Sequence, residues 1–190
     1  MPARGRKPDP TLDTKIRQAA ATLVLAQGLD FTMDDLAAAA GVGRASVFRR
    51  YATKREMLLD TLTGFMDTHV AIPDTGTVEG DLIVVARDTL ALWEAPGFAR
   101  MAKQMYGEAG RDPAVAELIK TTMRTRMARS WIVYERAIAR GELPEDADLW
   151  LLTDLVTGLV AYRGLLGLPL PDPAALIRNL LGGFGTPPQA

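Results

Sequence analysis

A chain of 190 residues, 48% apolar and 24% charged, has the size and composition of a folded globular protein with one domain or two small ones. With no cysteine it excludes disulfides, thiolate metal sites and cysteine nucleophiles, and a single histidine, His69, argues against a histidine metal site or a His-dependent triad. The net charge of −1 conceals a basic head on an acidic body: Met1–Leu58 carries ten Lys/Arg against six acids (+4), and the remainder sums to −5, so the head is the part expected to meet a polyanion.

Helix signals dominate in chain order, and no segment keeps a two-residue alternation. Asp9-Pro10 offers a cap and a first-turn proline. Leu12, Ile16, Ala19, Ala20, Leu23 and Val24 then repeat at helical spacing, and Gly28 suits the stop. Thr32 with Asp35 forms a capping-box pattern ahead of Met33, Leu36, Ala37 and Ala40. Gly41-Val42-Gly43 is a tight turn, followed by a short helix from Arg44 to about Tyr51. Thr53-Lys54-Arg55-Glu56 opens a longer helix to about Val70.

After a Pro/Gly/Thr loop at 73–77, helical periodicity resumes near Gly80 and stops at Pro96-Gly97. Further helices are predicted over Phe98–Ala109, from Asp112-Pro113 to Gly141, over Asp146–Leu166, and from Asp172-Pro173 to near Gly182. The expectation is an all-α chain of nine helices. No apolar run approaches the ~20 residues of a membrane span, and the N-terminus has no signal-peptide pattern. A cytoplasmic protein without a membrane role is expected.

Two short helices joined by a Gly-containing turn, inside a three-helix head, fit a helix-turn-helix. A plain helical hairpin in a bundle would satisfy the same pattern. Residues 16–58 go further: Ile16-Arg17-Gln18-Ala19-Ala20, Gly28, Phe31-Thr32-Met33, Leu36 through Gly43, Ser46-Val47-Phe48-Arg49-Arg50-Tyr51 and Thr53-Lys54-Arg55-Glu56-Met57-Leu58. This gap-free stretch resembles the N-terminal domain of the tetracycline-repressor-like (TetR) family. The resemblance implies a two-domain architecture: a basic arm at 1–8, a helix-turn-helix domain at 9–58, and a ligand-binding and dimerisation domain at 59–190.

It also implies roles for single residues. Thr32 and Lys54 match positions that contact phosphate, and a helix N-terminus favours an anion. Arg44, Ala45 and Ser46 open the recognition helix and are the base-edge candidates: Arg44 for guanine, Ala45 for a thymine methyl. Arg49 and Arg50 follow, one of them expected on the backbone. Arg4 and Arg6 on the arm are candidates for an adjacent minor groove. Two positions depart from the pattern. Gly43 lacks the capping hydroxyl often found there, and Phe48 lacks a tyrosine's, which makes it a packing residue in this reading.

The body is expected to dimerise and to sense a ligand. The helix over 146–166 is apolar around most of its circumference, and Leu176, Ile177, Leu180 and Leu181 form a second stripe. The resemblance implies a two-fold four-helix bundle built from these helices, with Gly158 and Ala161 permitting close approach. Trp93, Met101, Met105, Met123, Met127, Trp131 and Tyr134 are the ligand candidates, since methionines adapt and aromatics stack. Gln104, Thr121 and Thr122 are candidate polar anchors, and Asp88 a candidate partner for a cationic ligand. The reading is a ligand-responsive transcriptional repressor, homodimeric on double-stranded operator DNA, with a small, largely apolar effector, no cofactor and no metal. An enzyme is disfavoured because no paired carboxylates, phosphate loop or activated nucleophile stand out. A helical small-molecule carrier without a DNA role is the other class.

Overall fold

The computed structural model describes residues 10–182. Its helices are α1 (Pro10–Gln27), α2 (Met33–Ala40), α3 (Arg44–Arg50), α4 (Lys54–His69), α5 (Val78–Glu94), α6 (Pro96–Ala109), α7 (Pro113–Ala128), α8 (Ile132–Ala139), α9 (Leu149–Leu166) and α10 (Pro173–Gly182). Among the described residues there is no strand. The helix expected from Pro113 to Gly141 is α7 and α8 joined by a single 3-10 turn, Arg129–Trp131, so the described residues form nine helical rods. The backbone stays helical through that junction, with ψ between −20° and −29° at Ala128, Arg129, Trp131 and Ile132, the tighter 3-10 winding.

The chain divides into two compact units between Leu62 and Thr63, inside α4 and a few residues past the expected boundary at 58/59. In the first unit α1 delivers Ile16, Ala20 and Val24, α2 delivers Leu36, α3 delivers Val47, and α4 delivers Met57, each fully buried. Local chemistry sets the ends of these short helices. Thr32 and Asp35 form a full capping box. Gly41 ends α2 at φ 65°, and the Val42 amide donates back to the Ala37 carbonyl at 3.0 Å. Only glycine takes that left-handed position without strain.

In the second unit α5 is the central helix, packed against α6, α8, α9 and α10. Its core joins Val78, Leu82, Ala86, Tyr134, Ala137, Val156 and Ile177. Two helix starts fall slightly off their expected places because the capping residue decides them. Thr77 caps α5, accepting from the Gly80 amide at 3.1 Å. Asp148 caps α9, accepting from the Leu151 amide at 2.9 Å. Pro96 opens α6 rather than merely ending α5.

Two expectations for the C-terminal helices change. The stripe of α10 is taken up within the chain, with Ile177 buried and Leu176, Leu180 and Leu181 packed on the core. Helix α9 is buried on one side only, through Thr153, Val156 and Val160, while Leu151, Leu155, Tyr162 and Leu166 are 46–61% exposed. Its 18 residues also have a mean hydropathy of 1.4, enough by length and composition to cross a membrane. The sequence reading missed this because Thr, Gly, Asp154 and Arg163 interrupt the apolar run without lowering its average much.

Candidate nucleic-acid interface and effector cavity

The recognition helix α3 is anchored by one side chain and open at the others. Val47 is fully buried, whereas Arg44, Ala45, Phe48 and Arg49 are exposed and Ser46 is half-buried. Arg44 is braced rather than loose. Its Nη1 donates to Asp34 Oδ2 at 3.1 Å, and its guanidinium lies 5.2 Å from the centre of the Phe48 ring. Phe48, 41% exposed, is therefore surface and not the packing residue expected. Arg49 Nη2 donates to Ser46 Oγ at 3.3 Å. Gly43 caps α3 without a side-chain bond, as its missing hydroxyl requires.

Three other candidates are drawn into the head's own structure. The Arg50 side chain is 29% exposed, lies within 3.5 Å of Asp60 Oδ2 and 3.9 Å of Asp13 Oδ1, and stacks over Tyr51. Tyr51 is buried and donates its hydroxyl to the same Asp60 carboxylate; burial pushes the phenol well above its ordinary pKa. The Lys54 ammonium donates to the Leu29 and Phe31 carbonyls and sits over the Phe31 ring. It thus ties the start of α4 to the α1–α2 connection. Thr32 gives its hydroxyl proton to Asp35 Oδ2 at 2.7 Å while its oxygen accepts from the Asp35 amide at 3.1 Å. The backbone and hydroxyl donors of Thr32 hold the Asp35 carboxyl below its usual range. A carboxylate of the chain itself thereby occupies the anion-favouring end of α2. Arg4 and Arg6 lie outside the described residues.

A cavity of about 40 Å³ opens in the second unit. Its apolar wall is Met66, Val70, Leu82, Val85, Val133 and Val156, with Met127 beside them. Its polar wall is Thr89, Arg126, Ser130, Tyr134, Thr153 and Thr157. Of the seven ligand candidates only Met127 and Tyr134 line it. Met101 and Met105 are buried core. Trp93 is committed to Gly164, where a Cβ would fall 2.2 Å from its ring, and meets Phe98 edge-on. Trp131 packs edge-on against Trp150 at 4.6 Å. Met123 is half-buried outside the cavity wall, and Gln104, Thr121 and Thr122 do not line it either. Asp88 accepts from Arg87 and from the Ala71 amide and does not line the cavity.

The residue that the sequence reading missed is Arg126. It is 8% exposed. Its Nη2 donates to the Met66 carbonyl at 3.0 Å, and its Nε lies 3.3 Å from Asp67 Oδ1 without hydrogen-bond alignment. Asp67 is half-exposed and is shared with Arg129 at 3.3 Å. Burial pushes the Arg126 pKa down, Asp67 pushes it back up, and an arginine remains charged. A signal was present: Ile119, Met123, Arg126, Met127, Ser130 and Val133 share one helical stripe, so an arginine stands where the period demands an apolar residue.

Comparison with known proteins agrees with this division. Residues 16–61 match the pattern of the bacterial regulatory proteins, tetR family, and residues 72–181 match the tetracyclin repressor-like C-terminal domain. The uncharacterized HTH-type transcriptional regulator YdeS of Bacillus subtilis is 28% identical over 165 residues, covering 86% of this chain and 83% of that protein. The DNA-binding transcriptional repressor TetR of Mycobacteroides abscessus is 27% identical over 183 residues, 90% of each chain. In solved structures, the TetR family transcription regulator SCO0332 superposes with a TM-score of 0.82 at 25% identity, covering 92% of this chain and 99% of that one. A capped helix-turn-helix with an outward-facing recognition helix, an all-helical body and two family matches that together span most of the sequence give one conclusion: the chain belongs to the TetR family of DNA-binding transcriptional regulators.

Proposed function

We propose that the protein is a homodimeric repressor that occupies an inverted-repeat operator and leaves it when a small, largely apolar effector enters the cavity of the second unit. The observation that carries the DNA half is the orientation of α3: Val47 holds it to the core while Arg44, Ala45 and Arg49 face outward. Arg44 reads a guanine edge, Ala45 a thymine methyl, and Ser46 and Arg49 complete the surface. Thr32, Lys54 and Arg50 support it by fixing the head. Thr32 and Lys54 reach phosphate only by sharing donors that the head already uses. Arg4 and Arg6 extend the contact into the minor groove.

The dimer rests on α9, whose exposed Leu151, Leu155, Tyr162 and Leu166 fall on one face with Gly158, where an added Cβ would meet no neighbouring element within 4 Å. An apolar stripe of this kind is what a self-complementary two-fold interface requires. The effector acts through the cavity, whose wall includes Met66 on α4, the helix whose first turn carries Lys54. The action is cytoplasmic, with the chromosome as partner.

A gel-shift titration against random inverted repeats, repeated over a salt series, tests the reading. Selection of half-sites about one helical turn apart is expected, with affinity falling steeply with salt. A chain that stays monomeric, or that binds DNA without selecting a repeat, overturns it.

A further inference from the structure

The polar wall of the cavity is richer in donors than its residue types suggest. Thr89, Thr153 and Thr157 each spend the hydroxyl proton on a carbonyl one helical turn back, at 2.7–2.8 Å. The donors left for a guest are the Arg126 fork and the Ser130 hydroxyl, while the Tyr134 hydroxyl lies 3.5 Å from Thr153 Oγ1 and is shared with it. Burial raises the Tyr134 pKa, so that hydroxyl keeps its proton. No acidic side chain lines the cavity. Asp67 is shared by two guanidiniums, Arg126 and Arg129, so the trio keeps one positive charge uncompensated. Arg126 itself has five N–H donors and one hydrogen bond in the described structure. A buried, charged and under-bonded guanidinium is costly unless something completes it.

We propose that the cavity takes a small organic carboxylate, its carboxylate seated on Arg126 and its few-carbon body against Val70, Leu82, Val133 and Val156. A planar carboxylate accepts two parallel bonds from a guanidinium, the geometry that a point cation such as lysine does not supply. The apolar remainder of the wall excludes a bare inorganic anion as the best guest, and the volume of about 40 Å³ favours a compact one. A four- or five-carbon acid is larger than this volume, so the adaptable thioethers of Met66 and Met127 must move to admit it. The charge of the guest is thus opposite to that expected from Asp88. This assignment rests on the cavity being the effector site proposed above.

The test uses the full-length protein and two isosteric pairs: isobutyrate with isobutyramide, and isovalerate with isovaleramide, at constant ionic strength in chloride. Binding is followed by tryptophan fluorescence and thermal shift, and operator release by gel shift. Each acid is expected to bind at least tenfold more tightly than its amide. Arg126→Met should remove that preference. Asp67→Asn, at a half-exposed site, should strengthen acid binding several-fold by freeing Arg126, and it covers the case in which Arg126→Met fails to fold. Amides binding as well as acids, no binding by either acid, or no effect of Asp67→Asn overturns the carboxylate assignment. If neutral apolar compounds then release operator, the effector reading survives without it; if none of a broader apolar set does, that reading falls too.

Discussion

Head and body treat their buried cations in opposite ways. In the head, Lys54 is held by two carbonyls and an aromatic face, and Arg50 by two carboxylates. In the body, Arg126 is buried more deeply than either, with one backbone carbonyl and one carboxylate that it shares with Arg129. The comparison separates two uses of a positive charge. A cation whose charge is neutralised by its own fold is part of the scaffold; one left with half a carboxylate inside a cavity is prepared for a guest. On the recognition helix the charges that face outward are Arg44 and Arg49.

The sharpest way to break that comparison is to delete one cation of each kind. Lys54→Ala removes charged donors to two backbone carbonyls and is expected to cost the head about 2–3 kcal/mol of stability, read as a lowered denaturant midpoint and weaker binding to every DNA sequence. Arg44→Ala should leave stability within about 0.5 kcal/mol but relax preference at one base pair by roughly 1–3 kcal/mol, measured by competition between operators mutated singly. Equal loss of stability in both variants would erase the distinction.

The two faces of α9 extend the same logic to apolar contacts. Gly164→Ala drives a methyl into the Trp93 ring, 2.2 Å away, and should cost about 1–3 kcal/mol with a change in tryptophan emission. Gly158→Ala meets nothing within 4 Å and should leave the isolated chain unharmed or slightly more stable, by up to about 1 kcal/mol from helix propensity. Leu155→Glu, on the exposed face, should convert a particle of twice 20.6 kDa to one of 20.6 kDa in light scattering while circular dichroism is unchanged. Loss of helicity in that variant would place Leu155 in the core instead.

The smallest effect is the pH dependence of the α2 cap. The Asp35 pKa is lowered in the folded head, first by the Thr32 amide and then by its hydroxyl. A lowered folded value means that the ionised form stabilises the fold; that contribution is complete above the unfolded carboxylate value and is lost as pH falls through the folded one. The melting-temperature gap between wild type and Asp35→Asn should therefore be constant near neutrality and close only below pH ~4. A gap that closes at pH 6 would assign the effect to another group.

Much of the molecule was legible in the residues because its determinants are local. Thr32 and Asp35, Gly41 and Asp112-Pro113 mark helix ends through bonds spanning two to four residues. The apolar period of α1 named Ile16, Ala20 and Val24, which are all fully buried. The helix-turn-helix is built from such local pieces, but they fit a plain helical hairpin equally well, and the family resemblance of residues 16–58 decided between the two. Helical period also tells which residues share a face, but not what covers that face. For that reason Met101, Met105 and Trp93 looked like the neighbours of a ligand but do not line the cavity, and the stripe of α10 packs against the core around α5. Only tertiary packing brings α4, α5, α7, α8 and α9 around one cavity and leaves Arg126 there with a single hydrogen bond. Only packing, likewise, turns the Lys54 ammonium onto carbonyls more than twenty residues earlier in the chain. Both outcomes depend on where distant backbone carbonyls and carboxylates end up, and that information is carried by no short stretch of sequence.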